Sequence, residues 1–442
     1  MIFIILAIFA IGLYIRDYKV PAMIFFFFFL TSGFNLIPEE VTKLAFFSKG
    51  MDYAIIMLFV IVVIDAFCIK GYLKLDRLIY WYLLFCLFLI VCIFYNKFVI
   101  GVDWAEIIRT ARYNFLWVSY LVFRHLSKAQ LESLLKYLFI ATVICSILFL
   151  LQIILDTSIL NKVGESKVDL FGMKIPRFYN QPDMLYFFTF MAIYCNPFKG
   201  ITKYVTMAIL VATLLAAFHR SLIGSFFAAV ALGYILQLPR FQRIKVLSAV
   251  SVLLTFLIVF EGYKFIRSRA YVDIQRVVSG NLNVVDTEMD INDLQESTFT
   301  FRILHLMERN QYLLDNPKAM FLGAGLMTED SKLTGRIFDF DIGLIEETLG
   351  KTAQLDTGDI SYSILLMRYG YLGTLLNLLL YGFLIVYFYR NRTNPFGFFS
   401  FIYFIVVFIL SFFSYTLILP ATFILPLITY NLIQKTELKY EE

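Results

Sequence analysis

The chain has 442 residues, of which 60% are hydrophobic and only 16% are charged. An ordinary soluble domain carries roughly 25% charged residues, so this composition excludes that class and predicts a polytopic integral membrane protein. The net charge of +5 is small for the length and is sorted by membrane side, which indicates topology and not nucleic-acid binding.

The apolar segments, taken in chain order, predict the membrane-spanning helices. A straight crossing of the bilayer needs about 20 apolar residues. Segments of about that length or somewhat shorter lie at residues 1–15, 20–38, 52–70, 77–95, 105–123, 133–155, 183–197, 202–218, 221–237, 245–262, 360–389, 397–416 and 418–434. They predict an all-α fold with 12 or 13 transmembrane helices, depending on whether Pro420 and Pro426 bend one helix or separate two.

The loops between these segments predict the orientation, because Lys and Arg concentrate in short cytoplasmic loops. Basic residues recur in every second loop, so those loops and the C-terminus are predicted to be cytoplasmic. The polar segment 263–358 is then one large external loop containing short helices, the first from Thr298 to Leu314. Helices 1–10 within residues 1–262 and the C-terminal helices within residues 359–435 are predicted to form a single membrane domain with this loop.

Five arginines are predicted to lie at the external face: Arg109, Arg112, Arg177, Arg220 and Arg302. Each has an ordinary interpretation when it is taken alone, such as snorkelling to the interface or a solvated loop position. Together they favour a polyanionic ligand at the interface, because a guanidinium group binds phosphate bidentately. A lipid pyrophosphate is the natural candidate.

Cofactor and metal sites are not predicted. The histidines His125, His219 and His305 have no ligand spacing, and the five cysteines fall in apolar runs. The sequence also has no phosphate-binding GxxxxGK[ST] loop and no GxSxG motif.

Four segments between roughly residues 170 and 380 share an order and spacing that carry a resemblance. The first motif is an Arg followed by an Asn-rich turn, Arg177-Phe-Tyr-Asn180, and the second is a basic pair, His219-Arg220-Ser221. The third motif is Arg302 followed by Asn316-Pro317 and Gly323-Ala-Gly325. The fourth motif is Asp359, which lies eleven residues before Gly370-Tyr-Leu-Gly373. In this pattern the chain resembles the O-antigen ligase and polymerase superfamily of bacterial surface-polysaccharide assembly. In ligases the position of Asp359 is a His, so the Asp favours the Wzy-type polysaccharide polymerases.

The resemblance implies a metal-independent membrane glycosyltransferase, without a cofactor, in the bacterial inner membrane. It would transfer a glycan from undecaprenyl pyrophosphate to the terminal sugar hydroxyl of another lipid-linked repeat unit on the outer face, making O-antigen, capsule or exopolysaccharide. Its partners would be the undecaprenyl-pyrophosphate-linked glycan and the lipid bilayer. A chain-length regulator and a flippase are candidate protein partners, and nucleic acid is not a partner.

The resemblance also implies roles for individual residues. Arg220 and Arg302 are predicted to stabilise the charge of the departing pyrophosphate, with Arg177, Arg112 and Arg109 as further ligands. Asp359 is predicted to be the base for the acceptor hydroxyl, although a residue there could instead cap the helix that begins near Ile360. The secondary candidates are His219, Asp356 and Asn180.

Two other functions compete with the polymerase. One is an O-antigen ligase that transfers the glycan to the lipid A core. The other is a flippase or transporter of lipid-linked oligosaccharides, which would also carry arginines within the membrane. Transporters typically have repeated halves around a midplane site, whereas here the polar residues gather beside one large loop, which favours the enzyme.

Overall fold

The computed structural model describes residues 2–43, 49–72, 74–161, 165–170, 173–239, 298–328, 333–346 and 351–437, and the single residues 242, 245 and 331. This part of the chain is mostly helical, which confirms the predicted helical class. The predicted span at 245–262, apart from Lys245, and the first part of the external loop, residues 263–297, lie outside the described residues.

The described helices are α1 (Ile2–Ile15), α2 (Lys19–Leu30), α3 (Glu39–Thr42), α4 (Gly50–Cys68), α5 (Arg77–Tyr95), α6 (Trp104–Phe115), α7 (Ser119–Arg124), α8 (Lys128–Leu155), α9 (Leu185–Tyr194), α10 (Gly200–Ala216), α11 (Arg220–Gln237), α12 (Thr298–Asp315), α13 (Pro317–Leu322), α14 (Thr334–Ile337), α15 (Ser361–Arg390), α16 (Pro395–Leu410) and α17 (Pro420–Glu437). A π-helical turn, Asn96–Ile100, extends α5.

Four described helices are long and apolar enough to cross a membrane: α4, α5 with its π-turn, α8 and α15. The other apolar helices have 10–17 residues and are α1, α2, α9, α10, α16 and the Ser221–Gln237 part of α11. These are shorter than the roughly 20 residues of a straight crossing. A helical membrane protein is therefore supported, whereas the count of 12 or 13 spans stays a prediction.

Several helices end earlier than the hydrophobic pattern predicts. The apolar segment 20–38 is helical only to Leu30, because residues 32–35 all adopt positive φ angles that an α-helix cannot contain. The segment 105–123 is divided by a 3₁₀ turn at Leu116–Val118. Pro420 begins α17 and so separates it from α16, while Pro426 lies inside α17.

Two antiparallel hairpins depart from the all-α expectation. Strand β1 (Glu165–Leu170) pairs with β2 (Met173–Phe178), and β3 (Phe340–Glu346) pairs with the short β4 (Lys351–Thr352). The second hairpin lies in the predicted external loop, for which only short helices were expected. Both are short, polar and outside the long apolar helices, so they leave the helical class intact.

The predicted external loop is fastened to α15 at a kink in that helix. Gly370 has φ 64° and ψ −171° in the middle of α15. The loop residues Met320 and Gly323 pack directly against this kink. A Cβ on Gly370 would lie only 2.6 Å from the Met320 carbonyl oxygen. The Ala324 N–H donates to the Met367 carbonyl at 2.7 Å. The glycines of the third and fourth motifs therefore serve close backbone packing.

A second helix holds the same turn of the loop. The buried Asn96, in the π-turn after α5, accepts a hydrogen bond from the Leu326 N–H at 2.6 Å and donates to the Cys92 carbonyl at 2.8 Å. The turn between α13 and α14 is thus bound to α5 and α15 together. This anchorage positions α12, and with it Arg302, at the start of α15.

Candidate active site

Arg302 and Asp359 form an ion pair where the predicted external loop joins the long helix α15. Nη2 of Arg302 donates to Oδ1 of Asp359 at 3.2 Å. The Asp359 side chain is 46% exposed and the Arg302 side chain only 17%, so the carboxylate stays accessible while the guanidinium is held. The structure therefore brings together two of the three residues predicted to be catalytic, although 57 positions separate them in the sequence.

Asp359 does not cap α15. The N-cap position belongs to Ile360, and no side chain accepts a hydrogen bond from the first turn of the helix. The Asp359 backbone N–H donates to Oγ1 of Thr357 at 3.2 Å, and its carboxylate contacts Arg302. The capping interpretation is therefore wrong, and the carboxylate is left to interact with charged or polar groups.

An aromatic ring lies beside Gly358, the residue that precedes Asp359. The loop between α16 and α17 is bound to the start of α15, because Oγ of Ser361 donates to the Ser414 carbonyl at 2.7 Å. This contact brings the Tyr415 ring within 3.6 Å of the position of a Cβ on Gly358, and Tyr415 is 46% exposed. Sequence reasoning missed this residue, because no spacing links it to Asp359.

His219 lies near three of the charged residues. It occupies the N-cap position of α11, and its Nδ1 lies 3.0 Å from Oγ of Ser221. Burial lowers the pKa of His219, the charges of Arg177 and Arg302 lower it further, and Asp359 partly offsets them. Charges act strongly only over short distances in a hydrated site, so charges that shift the pKa of His219 must lie near it. Arg177 on β2, Arg302 on α12 and Asp359 at the start of α15 therefore surround the neutral imidazole of His219.

Arg177 and Arg302 each keep an unused donor. The guanidinium of Arg177 on β2 lies 4.8 Å from the centre of the Tyr179 ring, a cation–π contact. The Nε atoms of Arg177 and Arg302 are buried and have no hydrogen-bond partner among the described residues. A buried donor without a partner is costly in a native protein and calls for a ligand or a water molecule.

Arg220 is the first residue of α11 and follows His219 directly. Its backbone position therefore agrees with a place beside this group. Its side chain lies outside the described part of the structure, so its predicted contact with pyrophosphate stays a prediction.

Arg112 and Arg109 lie on α6, and the structure gives them different surroundings. Nη1 of Arg112 contacts Oδ1 of Asp52 at 2.6 Å, and its side chain is 7% exposed. Its charge is therefore balanced by Asp52, and the side chain is more deeply buried than that of Arg302. Arg109 is exposed, which agrees with the snorkelling interpretation of that residue.

Two secondary candidates have structural partners. Asp356 binds Arg368 bidentately, with Nε–Oδ2 at 2.6 Å and Nη2–Oδ1 at 3.2 Å, and is buried. The buried Asn180 accepts from Nε2 of Gln152 at 2.7 Å and donates to the Asn161 carbonyl at 2.7 Å. Both side chains hold the loops that surround the site and are poorly placed to react.

Two buried residues of α12 were missed by sequence reasoning. Arg309 is fully buried and donates to the carbonyls of Ile342 and Gln354 at 2.7 Å and 2.6 Å. His305 is also fully buried, with Nδ1 3.4 Å from Oγ of Ser363. Burial and the Arg309 charge lower the pKa of His305 to about 3. The spacing of residues 302, 305 and 309, which places them on one helix face, was the available signal.

No protein-family model matches the sequence, and no curated protein matches it.

Proposed function

We propose that this protein is a membrane glycosyltransferase that polymerises lipid-linked oligosaccharide repeat units. The donor would be a glycan on undecaprenyl pyrophosphate, and the acceptor the terminal sugar hydroxyl of another lipid-linked unit. The reaction would take place where the external loop meets the outer surface of the bacterial inner membrane. The large loop would then be external and the C-terminus cytoplasmic, as the positions of the basic loops predict.

The pairing of Arg302 with the accessible carboxylate of Asp359 carries this proposal. It combines a cation suited to a phosphate with a base suited to a hydroxyl, 3.2 Å apart. The unused buried donors of Arg302 and Arg177 support a polyanionic ligand. Neutral His219 could donate a hydrogen bond to the same ligand without adding charge.

The donor half of the reaction would depend on the arginines. When the bond between the anomeric carbon and the pyrophosphate oxygen breaks, the electron pair stays on that oxygen. Arg302 and Arg177 would stabilise the developing negative charge, with Arg220 as a further donor from the start of α11. Preorganised donors of this kind contribute several kcal/mol to a reaction in which charge develops, roughly 3–4 for one oxyanion-hole donor.

The acceptor half would depend on Asp359 and Tyr415. The acceptor hydroxyl oxygen forms the new bond to the anomeric carbon, and its proton passes to the Asp359 carboxylate. The half-exposed Tyr415 ring beside Gly358 offers an apolar face for the C–H side of a sugar and a hydroxyl for its polar edge. This ring would hold the acceptor sugar next to the base.

Substitution of the paired residues tests the proposal in cells that make the polysaccharide. Asp359→Asn removes the charge at constant side-chain size, and Arg302→Gln removes the charge but keeps a polar amide, so each is expected to abolish the ladder of polymer lengths. Arg302→Lys should also be damaging, because an ammonium cannot make bidentate contacts. Asp315→Asn is the matched control, since Asp315 is an exposed carboxylate at the other end of the same helix α12.

The variants must be inserted in the membrane at the wild-type level for the comparison to hold. Wild-type ladders from correctly inserted Asp359→Asn and Arg302→Gln proteins would refute the assignment. Equal loss of the ladder in Asp315→Asn would show that charge loss on the loop acts through folding.

A further inference from the structure

A large apolar cavity, which shares no lining residue with the candidate active site, lies between α4, α5 and the α6–α7 segment. Its volume is about 440 Å³, within the range of roughly 300–1,000 Å³ that small-molecule sites occupy. The cavity is partly open at the surface of these helices, so a ligand can enter it from the surrounding membrane.

The cavity wall has no polar atom to offer a ligand. Its floor is Trp117, which is only 2% exposed, and Leu83 and Cys86 of α5 line one side. The two tyrosines in the wall use their hydroxyls elsewhere: Tyr82 donates to the Asn114 carbonyl at 3.4 Å, and Tyr120 donates to the Asp76 carboxylate. A hydrocarbon chain is the ligand that such a wall accepts.

Two basic residues adjoin the cavity lining in sequence. Leu75 and Leu78 line the cavity near the start of α5, and their neighbours Lys74 and Arg77 are exposed with no ion-pair partner in the described part of the chain. Asp76 does not cancel these charges, because it already pairs with Arg124 at 3.5 Å. We call these two unpaired cations, each one position from a lining residue, the rim of the cavity.

We propose that this cavity binds an acyl chain of an anionic phospholipid, whose headgroup contacts Lys74 and Arg77. The apolar wall accounts for the chain and the rim accounts for the charge of the headgroup. Basic residues at a membrane surface attract anionic lipids by about 1 kcal/mol each, which corresponds to a preference of about fivefold per residue. This site is independent of the proposed glycosyl transfer.

Native mass spectrometry tests the site. The purified full-length protein is placed in nanodiscs of equimolar phosphatidylglycerol and phosphatidylcholine with identical acyl chains, and the lipids that it retains are counted. We expect phosphatidylglycerol to be enriched about fivefold or more. Lys74→Gln with Arg77→Gln should bring the two lipids to parity while the chain still binds. Leu83→Trp should fill the cavity and remove both lipids.

Leu87→Trp is the matched control, because Leu87 lies on the same helix, is 61% exposed and does not line the cavity. It should retain phosphatidylglycerol as the wild type does. Equal retention of the two lipids by the wild type would overturn the proposal. So would retention by Leu83→Trp that equals retention by Leu87→Trp, or a preference that survives the Lys74 and Arg77 substitutions.

Discussion

Substitution of Gly370 by Ala is expected to detach the predicted external loop from α15. Gly370 has φ 64° and ψ −171°, a conformation that only glycine adopts readily. A Cβ there would lie 2.6 Å from the Met320 carbonyl oxygen, 2.7 Å from the Phe321 carbonyl carbon and 2.8 Å from the Gly323 nitrogen. All three are backbone atoms, so no side chain can rotate to make room.

The magnitude follows from two additive costs. A non-glycine residue in such a conformation costs about 1–3 kcal/mol. Displacement of packed backbone costs about 1–3 kcal/mol more. We therefore expect a destabilisation of about 2–6 kcal/mol, which is large because native proteins are stable by only about 5–15 kcal/mol. The turn at Gly323 is connected through α13 to α12, which holds Arg302. Displacement of this turn should therefore also separate Arg302 from Asp359.

Thermal unfolding in detergent, followed together with limited proteolysis of the loop, measures the effect. Gly382→Ala is the matched control, because Gly382 lies in the same helix and a Cβ there would meet nothing within 4 Å. That control should leave the unfolding temperature unchanged or raise it, since Ala favours a helix by about 0.5–1 kcal/mol over Gly. Equal behaviour of the two variants would refute the docking of the loop at the kink.

Three further predictions concern the surroundings of the site. His305 has a folded-state pKa of about 3, against about 6.5 when unfolded, so the free energy of unfolding should fall as pH drops below 6.5, by up to about 5 kcal/mol. His305→Gln should flatten that part of the profile of melting temperature against pH. An unchanged profile would contradict the burial of a neutral His305. Arg309→Met leaves the Ile342 and Gln354 carbonyls without their donor and should lower the free energy of unfolding by about 2–5 kcal/mol. The effect should be seen as faster proteolysis of residues 338–356. The control Arg336→Met, at an exposed position, should not change the proteolysis rate. Tyr415→Ala should raise the KM for the acceptor about three- to tenfold while Tyr415→Phe stays within twofold; an unchanged KM in the Ala variant would remove Tyr415 from the acceptor site.

The sequence predicts the helical class well, and the described residues include four helices long and apolar enough to cross a membrane. It predicts the ends of helices less well. The segment 20–38 is apolar almost throughout, yet four consecutive positive φ angles end α2 at Leu30. That ending depends on tertiary packing, for example the hydrogen bond from the Asn161 N–H to the Asn35 carbonyl at 2.7 Å.

The candidate site was predictable only in part. Arg302 and Asp359 could be selected as residue types beside membrane segments, and the structure places them in contact. Arg112 and Asp356 had the same appearance in the sequence, but each has a buried partner, Asp52 and Arg368 respectively. No local sequence pattern reveals that Arg112 has a partner 60 positions away. A charged residue with a buried partner, such as Arg112, therefore looks the same in the sequence as one that stays accessible, such as Asp359.

Glycan chain growth by the purified protein is the most direct measurement of the proposed function. The protein is reconstituted in liposomes with undecaprenyl-pyrophosphate-linked repeat units, and the products are separated by length. We expect a ladder of multiples of the repeat unit for the wild type and none for Asp359→Asn, with Asp315→Asn equal to the wild type. Redistribution of the lipid-linked unit across the bilayer without chain growth would contradict the account and indicate a flippase.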